Sequence, residues 1–225
     1  MSAGNLELVA KAERRNRPAV ARRLAEDIVD GWSVNLGIGI PLMVADNLPP
    51  DRDILIHSEN GILGVGPAPA AGEVDPWVVN AGKFAVTLLP GAALFNHAES
   101  FAIIRGGHLD LCILGAFEVA TNGDIANWTL ASTTRLPAVG GAMDLASGAR
   151  RIWVTMEHVS RDGTPKLVDA CQYPLTAPGV VKRIYTDLAV LEPRGDHFAV
   201  IEIVPGLTFD DLQQLTGAPL RPAEG

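Results

Sequence analysis

Two cysteines, Cys112 and Cys171, are all that the 225 residues hold, too few and too widely spaced for a disulfide framework or a zinc site. Free thiols in a reducing compartment are the expectation. Aromatic residues reach only 5%, against 48% apolar residues and 23 glycines, a balance that suits a buried sheet entered by tight turns. Basic residues are outnumbered, and the net charge of -8 leaves no basic stripe to displace counterions from nucleic acid. An anionic small ligand therefore needs a local exception. No apolar stretch approaches the ~20 residues that cross a bilayer, and the Arg-rich start lacks an apolar run of signal-peptide length. A cytoplasmic protein without membrane contact is expected. Neither a repeat nor a Ser- or Pro-rich linker divides residues 1–225, which predicts one domain with a loosely held N-terminal arm and C-terminal tail.

What is present is an alternation of strands and helices. Ala19, Val20, Leu24, Ile28 and Val29 fall at helical spacing over residues 17–31, and Gly31 supplies a stop. Residues 33–36 are β-prone and lead into Gly37, Ile38 and Gly39, after which residues 41–48 look helical. A second strand, 54–57, ends at Ser58 and Glu59, and the stretch from there to Gly72 is rich in glycine and proline with little periodicity. Further β-prone runs lie at 85–89, 109–114, 151–156 and 199–204, with helical candidates at 98–104, 141–149 and 210–215. This order predicts an α/β fold, an open, mainly parallel sheet flanked by helices.

In such sheets ligands gather at the carboxyl ends of strands, where the glycine turn at 37–39 and Glu59 both fall. A carboxylate there can serve as base, metal ligand, nucleophile or cap. His57, His97, His108, His158 and His197 show no recognisable ligand pairing, so no metal is expected. No Gly-x-Ser-x-Gly is present to make Ser58 a nucleophile, and the 37–39 turn lacks the third glycine of a dinucleotide fingerprint. Residue pattern alone leaves Asn60–Gly61 open to reading as an ordinary turn with Glu59 on its flank. Likewise, Gly140 and Gly141 could simply let a loop approach a helix start.

The motifs Asn35–Leu36–Gly37–Ile38–Gly39, Ser58–Glu59–Asn60–Gly61 and Gly64–Val65–Gly66–Pro67 resemble those of the β subunits of family I CoA-transferases. The likeness continues through Asn80–Ala81–Gly82–Lys83, Arg105–Gly106–Gly107–His108–Leu109–Asp110 and Gly123–Asp124–Ile125–Ala126–Asn127–Trp128. It resumes at Gly140–Gly141–Ala142–Met143–Asp144–Leu145, Pro174–Leu175–Thr176 and Thr186–Asp187–Leu188–Ala189–Val190, so it spans residues 18 to 220. The resemblance implies a CoA-transferase-like α/β/α fold with Glu59 as nucleophile, the loop at Gly140, Gly141 and Asn60 supporting its oxyanions, and Gly37, Ile38, Gly39, Asn80 and Lys83 against CoA. Lys83 also fits a solvated surface residue, and Arg105 and His108 read as structural. No permanently bound cofactor is implied, only a coenzyme A thioester as substrate. The partner implied is an α subunit of similar size in a hetero-oligomer.

Residues 129–141 end in Pro137–Ala138–Val139–Gly140–Gly141, an ending more like 3-oxoadipate:succinyl-CoA transferases than acetoacetate-type β subunits. The resemblance thus implies CoA transfer from succinyl-CoA to a 3-oxo acid, 3-oxoadipate first, within aromatic-compound catabolism and its β-ketoadipate pathway. Acetoacetate is the alternative acceptor, and Arg135 is a candidate cation for a second carboxylate. An acyl-CoA hydrolase and a non-catalytic acyl-CoA sensor are the rival classes. The segment 67–78 reads as either lid or interface.

Overall fold

In the computed structural model, which describes residues 3–49, 51–130 and 138–223, the chain opens with α1 (Ala3–Lys11) and α2 (Arg17–Asp27). Next come β1 (Ser33–Leu36), a 3-10 helix (Ile40–Asn47), β2 (Leu55–Ser58), β3 (Ile62–Val65), β4 (Leu88–Leu94) and α3 (His97–Arg105). There follow β5 (Leu111–Gly115), β6 (Glu118–Ala120), β7 (Ile125–Ala126), α4 (Ala142–Gly148), β8 (Ile152–Met156) and β9 (Leu167–Val168). The chain finishes with β10 (Val181–Thr186), β11 (Ala189–Pro193), β12 (Phe198–Ile203), α5 (Phe209–Gln214) and β13 (Leu220–Pro222).

Alternation along the central strands builds the layers, because successive side chains leave a strand on opposite faces. On β5, Leu111 and Ile113 join one buried cluster, while Cys112 and Leu114 join another. On β8, Trp153 goes to the first, and Ile152, Val154 and Met156 to the second. The first cluster is closed by Val20, Ala21 and Leu24 of α2 and by Ile40 and Val44 of the 3-10 helix. The second is closed by Ile104 of α3, Leu145 of α4 and Leu212 of α5. A strand buried on both faces needs a continuous apolar run, which is how 111–114 reads. α2 is started by Asn16, whose side chain accepts from the Ala19 amide at 2.9 Å, with proline in the first turn; both devices satisfy or remove amides that a helix start leaves unpaired.

The large sheet has ten strands in the order β13-β12-β11-β10-β8-β5-β1-β2-β3-β4, and β6, β7 and β9 form a small second sheet. Its centre, β2-β1-β5-β8-β10, is parallel throughout, as the alternation of strands and helices predicts. Both flanks turn antiparallel, through β10-β11-β12 on one side and β2-β3-β4 on the other. Three local expectations shift. The strand expected at 85–89 runs instead over Leu88–Leu94 through Pro90 and Gly91, which an edge strand tolerates because it need not donate on its outer side. The expected helix at 41–48 is a 3-10 helix. The glycine-rich stretch after Glu59 contains β3, paired to β2.

Candidate active site

β1, β2, β5 and β8 end on one side of the sheet, and the loops that follow them enclose a cleft of ≈ 650 Å³. Of the residues singled out in the sequence, Gly37, Ile38, Gly39, Glu59, Gly140 and Gly141 line it; Asn60, Asn80 and Lys83 do not. Glu59 is placed by a hairpin. Ser58 pairs with Ile62, leaving a three-residue loop closed by the Gly61 amide donating to the Ser58 carbonyl at 3.0 Å. Gly61 holds φ +112°, the positive-φ position that such loops require, and a Cβ there would collide with the Phe95 carbonyl. The Glu-Asn-Gly sequence is thus the turn that points a strand-end carboxylate into the cleft.

Gly141 meets that carboxylate. A Cβ added at Gly141 would lie on Glu59 Oε2 and 3.2 Å from its Cδ, so a side chain there would push the carboxylate out of its place. Gly140, at φ +58° with open space around it, is required for its backbone conformation instead. Gly141 is also the N-cap of α4 and offers no capping side chain. Gly37 is pinned to β5, its amide donating to the Ile113 carbonyl at 2.8 Å, and a Cβ there would come within 2.9 Å of that oxygen.

Asn60 is exposed and donates to the Val79 carbonyl at 2.7 Å, so it braces the loop behind Glu59 and faces no oxyanion through that group. Ser58 Oγ accepts from the Ala81 amide at 2.9 Å, tying the same segment to β2. Asn80 folds the next turn, its Oδ1 accepting from the Phe84 amide at 3.1 Å, and it lines a second, mostly apolar cleft of ≈ 460 Å³ that shares Ile38 and Gly39 with the first. Lys83 is exposed at φ 65° and borders neither cleft. Arg105 pairs with Asp144 at 2.7 Å and joins α3 to α4. Arg135 lies outside the described residues.

Burial pushes the Glu59 carboxyl above its ordinary value; His97 pulls it down and Asp144 adds to the rise. Beneath it, Asn35 Nδ2 donates to His57 Nδ1 at 3.0 Å, and the opposite ring nitrogen meets Ser100 Oγ at 3.0 Å. With Nδ1 accepting, the proton sits on Nε2 and points to Ser100. Burial holds this histidine neutral, its pKa lowered to about 4. Cys112 is fully buried and its thiol is pushed far up by burial, so it is no nucleophile. Cys171 is partly exposed, with its thiol pushed up to about 12 by the same cause. Among the described residues no group of His, Cys, Asp and Glu could hold a metal.

Four charged or hydroxyl-bearing residues of the cleft escaped the sequence reading: Arg17, Thr155, Glu157 and Lys166. Arg17 and Glu157 pair at 2.9 Å. The available signal was Lys166 itself, one of four lysines in the chain, sitting beside an apolar Leu167–Val168 pair.

The profile of the coenzyme A transferase family matches residues 17–215. One subunit of a 3-oxoadipate CoA-transferase from Acinetobacter baylyi is 53% identical over 204 residues, 91% of this chain and 94% of its own length. One subunit of a succinyl-CoA:3-ketoacid coenzyme A transferase from Helicobacter pylori is 45% identical over 202 residues, 90% of this chain and 97% of its own. Among solved structures, the acyl-CoA transferase YdiF of Escherichia coli O157:H7 superposes with a TM-score of 0.70 at 20% identity, a likeness of fold. The match covers 92% of this chain but 42% of that one.

Proposed function

This chain belongs to the coenzyme A transferase family, and from that premise we propose that it is the β subunit of an enzyme moving CoA from succinyl-CoA to 3-oxoadipate through a glutamyl-CoA thioester on Glu59. The observation behind the mechanism is the apposition of Glu59 and Gly141 in the cleft. A carboxylate is a weak nucleophile, and burial that raises its pKa also strips the water that would blunt it. Glu59 attacks the thioester carbonyl and expels CoA thiolate, leaving a mixed anhydride. The thiolate then attacks the Glu59 carbonyl, releases succinate and forms the enzyme thioester. The acceptor carboxylate reverses both steps, so one thioester is exchanged for another and no ATP is consumed. Each addition passes through an oxyanion, and the uncapped first turn of α4 at Gly141 supplies backbone donors beside it. The second cleft, sharing Ile38 and Gly39, is suited by its apolar lining to the pantetheine arm.

The choice of acceptor is supported by the name and 53% identity of the Acinetobacter relative; the 3-ketoacid relative at 45% keeps acetoacetate as the second reading. An α subunit of related fold completes the site. Its support is that both relatives are named as subunits of their enzymes, together with the apolar surface around the cleft. Ile38, Phe84 and Met143 are exposed, as are Leu88, Leu89 and Leu94 on edge strand β4, more than a solitary chain leaves in water. Trp77, 90% exposed, supports the interface reading of the segment 67–78 over the lid. No helix among the described residues is long and apolar enough to cross a membrane.

Intact and peptide mass spectrometry of the co-purified subunits with succinyl-CoA and no acceptor tests this reading. A CoA adduct on the Glu59 peptide, discharged by 3-oxoadipate and absent from Glu59→Ala, is expected. CoA binding without any adduct would overturn the mechanism in favour of a sensor or a hydrolase.

A further inference from the structure

Thr155 is the penultimate residue of β8, 2% exposed, and it lines the Glu59 cleft. Its Oγ1 is buried and has no hydrogen-bond partner among the described residues. A buried hydroxyl left unpaired forfeits its hydration with nothing in return, and native proteins rarely carry one without a use. Valine would fit the same strand with no such penalty. Gly115, opposite Thr155 on β5, bears no side chain, and a Cβ there would meet nothing closer than the Thr155 carbonyl at 4.0 Å. The hydroxyl thus lies in the wall of the cleft, just beneath its accessible surface.

Lys166 lines the same cleft and makes no ion pair among the described residues, although it is half-buried and burial lowers its pKa. The nearby acids are occupied. Glu157 is held by Arg17 at 2.9 Å, which keeps its carboxyl below the usual range. Asp187 accepts from Arg14 at 2.8 Å and from the His158 amide at 2.7 Å. Arg17, Glu157 and Lys166 together carry one net positive charge, so this wall of the cleft is cationic although the chain is acidic.

We propose that Lys166 and Thr155 form the subsite for the far carboxylate of a dicarboxylic acyl group, selecting diacids at Glu59 over acyl groups with an uncharged end. The inference rests on the transferase reading above and names the substrate class of that site. Its scale fits: the ends of β2 and β8 are separated by β1 and β5, three strand spacings or roughly 14 Å between backbones. An extended Glu59 side chain and a four- to six-carbon diacid together bridge that gap. At the far end the carboxylate receives an ammonium and a hydroxyl donor, and Lys166 gains a counter-ion in direct contact.

CoA phosphates are anions too, so the test compares donors with the same CoA and different acyl ends. In the assembled enzyme, the rate of CoA loading onto Glu59 is measured by mass spectrometry from subsaturating succinyl-CoA and acetoacetyl-CoA, with free CoA as competitive inhibitor. Lys166→Met and Thr155→Val should each lower the succinyl-to-acetoacetyl rate ratio by about 10- to 100-fold, with Lys166→Arg recovering most of it. Thr155→Val should melt no lower than the parent protein, since it removes an unpaired hydroxyl; a merely structural threonine would show the opposite. Equal losses with both donors, or a matching rise in the inhibition constant of free CoA, would assign Lys166 to the phosphates and overturn the proposal. An unchanged ratio would overturn it as well. Absence of loading in the parent protein from either donor would instead strike the transferase reading.

Discussion

Glu59 and Gly141 show how two residues 82 positions apart in the chain become one device. The glycine is dictated by the absence of a side chain against Glu59 Oε2, not by backbone strain, for its φ is -79°. Gly141→Ala therefore folds, because the atom it displaces is the far end of a flexible side chain, yet it moves the nucleophile. We expect kcat to fall on the order of 100-fold with Tm nearly unchanged, read from steady-state rates beside thermal melts; a full-rate Gly141→Ala enzyme would refute the apposition. Neighbouring Gly140 is the converse case, needing φ +58° and crowding nothing. Pattern alone could not separate these two glycines. It also could not separate Glu59 from an ordinary turn flank, and only likeness to a family made that distinction. Asn60, Asn80 and Lys83 stood in equally visible motifs, but the first two are spent on holding loops. A motif of this kind preserves the turn as well as the chemistry.

At the level of elements, the hairpin joining β2 and β3 sets the aim of the carboxylate. Gly61→Ala puts a Cβ against a backbone carbonyl of Phe95 at φ +112°, where neither partner can yield cheaply. A loss of about 2–3 kcal/mol is expected, measured by urea unfolding, and equal stability would mean that the turn adopts another form. Most central strands were legible in the sequence, since 111–114 and 152–156 are apolar runs bounded by breakers. β3 and β4 were not. Gly64 and Gly66 mask the one, and Pro90–Gly91 imitates a turn inside the other. Gly64 sits at a register irregularity between β3 and β4, and Pro90–Gly91 is tolerated because that flank of the sheet ends at β4, where half of the ladder has no partner to satisfy.

Over the whole molecule, buried histidines tie the layers together and set the response to acid. His57 links β1, β2 and α3. His158 is wholly enclosed between Thr186 and Thr216, with its pKa lowered to about 3. Both are neutral when folded, whereas the unfolded chain takes up protons near pH 6.5. The unfolded state therefore binds more protons below that pH, and stability falls as pH drops from about 6.5 toward 4. His57 alone is worth about 3 kcal/mol at most over that window. Protonation of Glu59 acts in the opposite sense, because its folded pKa is raised. Urea midpoints taken between pH 7 and 4.5 should decline, and His57→Gln should flatten the decline; a flat profile in the parent protein would show that these rings are charged when folded.

Local pattern determined what local physics can determine: the alternation of strands and helices, the parallel centre, the glycine turns at strand ends and a net acidic charge. Those properties depend on side-chain period and backbone freedom, which are written in neighbouring residues. The tertiary structure alone decided which strand ends share a cleft, that Gly141 rests against Glu59, and that Thr155 and Lys166 line the same space. Such pairings depend on strand order, and strand order is set by how the two apolar faces of the sheet are covered, a condition that no single stretch of the chain contains.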